Sequence, residues 1–401
     1  MPSTRSRFGV IFLTVLIDLI GFGIVIPIIP GYAVEFGAHG FEFGALLGVY
    51  SLMQFFANTV LGRWSDRVGR RPILLATMLL NAAGYVLFAF AGSYWVLFAS
   101  RVIGGFAGGN LGTAQAYVAD ISSPSERSRG MGMIGAAFGI GFVVGPAIGG
   151  LAGHYLGRAA PGLVAAGLSL VNFASAWVIL QESLQPEHRA TERGVGLAAI
   201  WHGLVDRRLR PLMLVWAIFP FAFSGYTAAL PLHAFAMFGW RERELGWFFT
   251  AFGVTGALVQ GYFFGRLARR FGERILVIVG TAGVAIAIGA VPFAHSSAAL
   301  YAWTVALALA QGLVSPAASG LVSVYASPSE QGVTLGAAQA LGALGRMMGP
   351  EVIGQRYDAA GGRAAFLTAA AVMVFAWIAS LGLDRAGVRQ PAETVGEPSS
   401  T

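Results

Sequence analysis

Ser123-Pro124-Ser125-Glu126 returns 204 positions later as Ser327-Pro328-Ser329-Glu330. Other matches keep this register: Gly145-Pro146 returns as Gly349-Pro350 and Gly21 with Pro27 as Gly225 with Pro231, each at 204, while Gly62-Arg63 and Gly69 return as Gly265-Arg266 and Gly272 at 203. Four segments in one register mark an internal duplication. The duplicated material is apolar. Of 401 residues, 56% are hydrophobic and 11% charged, with a mean hydropathy of +0.68, which is not the composition of a soluble chain. A spanning helix needs roughly 20 apolar residues. Hydropathy and polar breaks predict twelve spans, near 8–30, 43–61, 73–91, 94–119, 131–153, 160–180, 211–238, 244–264, 274–293, 298–326, 331–355 and 363–383. The predicted fold class is an all-α membrane protein of two duplicated six-helix bundles.

The longest predicted loop divides the halves, giving a first bundle over 1–180, a linker over 181–210, a second bundle over 211–383 and a polar, disordered tail over 384–401. In the linker, Leu197, Ile200, Trp201, Leu204 and Val205 share a helical face opposite Arg207 and Arg208. That pattern suits a short helix on the inner membrane surface; a plain tether is the alternative. All 26 basic residues are Arg, and Cys is absent. Without Lys there is no G-x-x-x-x-G-K-[ST] phosphate loop and no Schiff base; without Cys there is no thiolate metal site. If both termini are cytoplasmic, 19 Arg fall in cytoplasmic segments and five in outer loops, a strong positive-inside bias. It accounts for the basic balance without a nucleic-acid partner.

Polar residues inside the spans are the candidate functional groups. Asp18 lies near mid-bilayer, where a carboxylate costs roughly 2.5–3.5 kcal/mol on insertion scales. It must be protonated, paired or facing water, and each option invites proton coupling; the plain alternative is a structural carboxyl. Arg101 in span 4 sits where it could reach Asp18 or hold substrate. Arg346 in span 11 is expected to face the cavity, with Glu351 nearer the outer end. His233 in span 7 is a packing residue or a proton relay. Gln54, Asn58, Asn110, Tyr226, Gln260, Gln311 and Gln339 are further lining candidates. Gly104, Gly108 and Gly112 recur every four residues, as do Gly141, Gly145, Gly149 and Gly153, which favours close helix packing over a nucleotide loop. The predicted cavity is otherwise apolar and aromatic, suiting a hydrophobic or amphiphilic small molecule. No metal cluster and no enzymatic nucleophile with a base is visible.

The chain resembles the major facilitator superfamily, and within it the drug:proton antiporters typified by bacterial tetracycline/proton exporters. Gly62-Arg-Trp-Ser-Asp66-Arg67-Val-Gly69-Arg70-Arg71 matches the signature G-x-L-x-D-R-x-G-R-[KR] of the loop after span 2. Asp18 to Pro30 looks like the span 1 signature, Arg101 to Gly105 like the R-x-x-x-G element of span 4, and Gly141 to Gly150 like the span 5 antiporter signature. The resemblance implies a monomeric exporter in a bacterial inner membrane, with the proton as coupling ion and no soluble cofactor. It implies a cytoplasmic gate of Gly62, Asp66, Gly69, Arg70, Arg71 and Asp120, in which Asp66 approaches the start of span 11 and Arg70 pairs with Asp120. It places Asp18, Arg101, His233 and Arg346, in spans 1, 4, 7 and 11, on the cavity wall, and it makes Gly141, Gly145, Pro146, Gly149 and Gly150 a packing surface that meets span 8. Departures from the pattern bear on substrate. The further intramembrane Asp positions of tetracycline exporters correspond here to Gly84 and Val284, and Arg346 and Glu351 have no counterpart. A lipid or glycolipid flippase and a proton-coupled importer remain alternatives within transport.

Overall fold

The structure is a computed structural model that describes residues 4–122, 127–184, 197–326 and 331–383. Both Ser-Pro-Ser-Glu tetrapeptides, residues 185–196 of the linker and the tail from 384 lie outside the described residues. Among the described residues every regular element is helical. Among them, ten apolar runs are long enough to cross a membrane. One of them, Thr334–Leu381, is two spans: Gly361, at φ 77°, interrupts its helix, and Ile353 and Phe366, on either side of that turn, both pack beside Gly225 and Tyr226. Tyr94–Gly108 and Asn110–Ile121 together make another. The total is the twelve predicted.

Spans 1 to 6 are Thr4–Val25 continued by Ile29–Glu35, Gly40–Val68, Arg70–Ala89, the Tyr94–Ile121 pair, Arg127–Leu156 and Ala160–Ile179. Spans 7 to 12 are Arg210–Phe238, Glu242–Leu258 continued by a π-turn and Phe264–Phe271, Glu273–Ala290, Ser297–Tyr325, 331–360 and 362–381. Pro27 breaks span 1 because it has no N–H for the helical ladder, and Pro30 opens the next short helix, where no N–H is needed. Leu197–Val205 forms a helix before span 7, with Leu204 against the second bundle's core and Trp201 exposed.

The duplication extends to the turns and caps. Three pairs of left-handed glycines stand at equivalent bends: Gly37 and Gly239, Gly69 and Gly272, Gly157 and Gly361. A side chain at these φ values is strained, so each bend requires glycine. Spans 4 and 10 start alike, with Ser93 Oγ accepting from Val96 N and Ser296 Oγ from Ala299 N. Spans 2 and 8 do too, with His39 N donating to Glu42 and Arg241 N to Glu244, each at 3.0 Å. Large apolar side chains such as Leu79, Trp177, Ile286 and Phe375 are exposed around both bundles, as a lipid-facing surface requires.

An even number of spans puts Thr4 and Leu383 on one face, here the terminal face; the other is the distal face. The bundles meet tightly toward the distal face. A Cβ on Gly150 of span 5 would stand 2.8 Å from the Glu242 carbonyl and 2.9 Å from Gly246 Cα of span 8, and one on Gly48 of span 2 would stand 2.8 Å from the Met347 carbonyl of span 11. Toward the terminal face they part: Gly62, Gly256 and Gly261 have open space at the Cβ position, and nothing in Phe264–Phe271 is buried.

Candidate functional site

Between the bundles lies a cavity of about 360 Å³ bounded by spans 1, 2, 4, 5, 7, 8, 10 and 11, a volume at the lower end of the small-molecule range. Spans 3, 6, 9 and 12, which carry no predicted charged residue at mid-membrane, contribute nothing to its wall. Phe22, Phe43 and Phe142 face it from the first half, and Phe219, Phe223, Phe248, Phe249 and Phe252 from the second. Its charged wall residues are Arg101 and Arg346; no acidic residue lines it among the described residues. The Arg101 guanidinium lies over the Tyr50 ring at 4.5 Å, an attraction between cation and ring quadrupole. Arg101 is 4% exposed, and its Nε has no hydrogen-bond partner among the described residues. Neither Arg101 nor Arg346 has a carboxylate within ion-pair distance among the described residues.

Asp18 does not line this cavity. It is held behind the wall, one helical turn from Phe22, by two amides: Asn110 Nδ2 donates to Asp18 Oδ2 at 2.7 Å and Asn172 Nδ2 to Oδ1 at 3.3 Å, with Asn172 also reaching the Thr14 carbonyl at 3.1 Å. The carboxylate thus meets donors from spans 4 and 6. Asn110 is the first residue after the break at Gly109, and Arg101 lies on the other side of that break. One broken helix therefore touches both the half-buried Asp18 carboxylate and the cavity.

Of the expected lining residues, Arg101, Tyr226, Gln311 and Arg346 stand on the wall, whereas Asp18, Gln54, Asn58, Asn110, His233, Gln260 and Gln339 stand outside it. For Asp18, Gln54 and Asn110 the reason is local satisfaction of polar groups. Asn110 serves Asp18, and Gln54 donates to the Gly108 carbonyl at 3.2 Å. Asn58 lies beside Gly112, and His233 packs edge-on against Phe366 at 5.1 Å. Gln260 falls in the π-turn of span 8 and Gln339 on an exposed face of span 11. Span 2 approaches span 4 most closely through Gly105 and Gly109, one position on from two members of the expected stripe: an added Cβ would meet backbone of Tyr50 and Ala57.

At the terminal face Arg70 is 8% exposed and multiply held. It contacts Asp66 and Ser65 Oγ at 2.6 Å each through Nη1, and Asp120 at 3.2 Å through Nε. Asp66 is engaged by Arg70 on its own loop. Glu182, just past span 6, accepts from the backbone N–H groups of Arg70 and Arg71 at 2.8 and 3.2 Å, capping span 3, and Ser183 Oγ donates to Asp120 at 2.9 Å. Arg71 donates to the Trp177 carbonyl at 2.7 Å. Gly62 and Gly69 fall at the end of span 2 and at the left-handed turn into span 3.

The span 5 glycines serve two partners. Gly141, Gly145 and Gly149 face span 1, where a Cβ on Gly145 would stand 2.7 Å from Gly23 Cα. Gly150 and the Pro146 carbonyl face Gly246 of span 8. The expected meeting with span 8 is thus made by one edge of the signature, and the every-fourth-residue stripe packs within its own bundle.

Two duplicated six-span bundles around a central cavity define a secondary transporter. The chain belongs to the Major Facilitator Superfamily, whose model matches residues 11–241 and 234–400. It is 33% identical over 366 residues to the class C tetracycline resistance protein of Escherichia coli, covering 89% of this chain and 91% of that one. Among solved structures it is similar to the human organic anion transporter MFSD10 (TETRAN), at 28% identity and a TM-score of 0.72 over 95% of this chain and 100% of that one. The nucleoside transporter NupG shares the fold at a TM-score of 0.77 and 15% identity, over 94% of this chain and 99% of that one. These relatives are transporters, not enzymes.

Proposed function

We propose that this chain is a proton-coupled exporter of hydrophobic, drug-like small molecules, selective for amphipathic organic anions, acting as a monomer in a bacterial inner membrane. The observation that carries the reading is a cavity walled by aromatic side chains whose charged residues, among the described residues, are two arginines without a carboxylate partner. Arginine keeps its proton, so such a wall favours an acceptor-rich, negatively charged guest and disfavours a cation. The organic anion transporter named above, similar over almost the whole chain, supports that class. The positive-inside bias makes the terminal face cytoplasmic, so the state described here is inward-facing, ready to load from the cytoplasm.

Coupling follows from the separation of the two sites. Substrate is held by the wall, the proton by Asp18, and span 4 connects them through Asn110 and Arg101. Proton binding at Asp18 replaces a charged acceptor with a neutral one, which weakens the Asn110 bond and frees the half-helix beyond Gly109 to rearrange. The proton is the coupling ion, and no soluble cofactor is needed.

A charge-matched ligand series tests the substrate class. Purified protein should gain thermal stability from aromatic carboxylates and sulfonates more than from their neutral amides or amines, by ligand linkage, and Arg346→Gln should abolish the preference. Stabilisation by cations alone, or a preference unchanged in Arg346→Gln, would overturn it.

A further inference from the structure

The first N–H groups of any helix lack partners within it. In span 2 two of these are taken by a carboxylate from the other bundle: Gly40 N donates to Asp358 Oδ1 at 2.6 Å and Phe41 N to Asp358 Oδ2 at 2.8 Å. Asp358 is at the distal end of span 11 and belongs to no ion pair among the described residues. Backbone packing delivers it there. Gly40, Gly44 and Gly48 bring span 2 onto Gly354, Pro350 and Met347, and an added Cβ at each would strike a span 11 carbonyl.

Glu182 provides an internal comparison. It caps span 3 by the same chemistry, through Arg70 N and Arg71 N, but from within its own bundle. A cap inside one rigid body persists whichever face is open. The Asp358 cap joins two bodies and lasts only while the distal face is closed.

We infer that Asp358 is an interbundle latch, its carboxylate holding the N-terminus of span 2 to keep the distal face shut in the state described here. Two charge-assisted hydrogen bonds and the positive end of the helix dipole favour the closed contact. Water replaces them on opening, so the latch biases populations without forbidding the change.

The absence of cysteine allows a direct test with a single reporter, Ser51→Cys on the cavity wall, labelled by a membrane-impermeant maleimide applied to each face of oriented vesicles. Asp358→Asn, nearly isosteric but uncharged, should raise labelling from the distal face about five-fold and lower it from the terminal face. Phe41→Pro removes one donor without touching Asp358; proline is tolerated in a first helical turn, and the same direction of change is expected. Glu182→Gln should leave both rates near wild type. Well-inserted Asp358→Asn and Phe41→Pro variants that label at the wild-type rate from the distal face, or that label faster from both faces alike, would overturn the latch. The readout needs neither substrate nor a proton gradient, so it stands or falls separately from the proposed transport activity.

Discussion

Alanine substitutions at Gly145 and Gly150, five residues apart on span 5, should have different consequences, because the glycines face different bodies. A Cβ on Gly145 would lie 2.7 Å from Gly23 Cα and 2.8 Å from the Ile20 carbonyl, both in span 1; one on Gly150 would lie 2.8 Å from the Glu242 carbonyl and 2.9 Å from Gly246 Cα, both in span 8. All four neighbours are backbone, so no rotamer change relieves the contact and the helices must separate. Overpacking of this kind costs about 1–3 kcal/mol. At Gly145 the strain acts within one bundle and is present whichever face is open, so Gly145→Ala should lower the melting temperature and leave the conformational balance alone. The gain in helix propensity, about 0.5–1 kcal/mol, offsets part of that loss. At Gly150 the strain exists only while the distal face is closed, and the propensity gain is common to both states. Gly150→Ala should therefore shift the balance toward distal opening by the full 1–3 kcal/mol, about 5- to 150-fold. Thermal unfolding of the detergent-purified protein and maleimide labelling of Ser51→Cys from the distal face read the two effects separately. The reasoning is refuted if Gly145→Ala changes accessibility without lowering the melting temperature, or if Gly150→Ala lowers the melting temperature and leaves accessibility unchanged.

Three further outcomes are expected. Asn172→Leu removes one of the two amide donors to Asp18, a bond to a charged group worth about 1.5–3 kcal/mol; proton-driven flux should fall about ten-fold or more with substrate-induced stabilisation retained, and loss of both together would indicate misfolding instead. Asp66→Asn should slow or leave unchanged maleimide labelling from the distal face and raise it from the terminal face, because the gate carboxylate implied by the resemblance favours terminal closure; a distal increase would contradict that role. Asp206, in the turn before span 7, has its carboxyl held below the usual range chiefly by the Leu209 backbone N–H, at 3.0 Å. The stabilisation is present above the ordinary Asp value of about 3.9 and is lost as pH falls through the lower folded value, so Asp206→Asn should flatten the acid limb of the stability profile; an unchanged limb would assign it to other groups.

The twelve spans and the duplication were legible because hydropathy and repeated Gly-Pro or Gly-Arg pairs are strong local signals. The glycine turns at Gly37 and Gly239 and at Gly157 and Gly361, and the Ser93 and Ser296 caps, repeat with equal fidelity but are single residues in a chain with 56 glycines, and single residues carry little register information. The Asp18 carboxylate stood out because a charge in an apolar run is expensive. Its partner Asn172 did not, since a neutral amide is cheap to insert. Polar residues were assigned to the cavity as a class, yet helix interfaces satisfy amides as readily as a ligand does, and Gln54 and Asn110 are satisfied that way. Tyr50, which carries the Arg101 guanidinium, was not singled out, because an aromatic ring at helical spacing does not announce a cation above it. Glu182 read as loop, since its role depends on the tertiary approach of span 6 to span 3.

The central claim is that proton movement through Asp18 drives export, and substrate-dependent proton flux in proteoliposomes tests it most directly. With an imposed pH gradient, an amphipathic aromatic anion should elicit proton movement in the wild type, and Asp18→Asn, inserted and folded to the same extent, should give none while still binding the compound. Proton flux of wild-type magnitude in Asp18→Asn, or anion transport in the wild type that is indifferent to the pH gradient, would contradict the account.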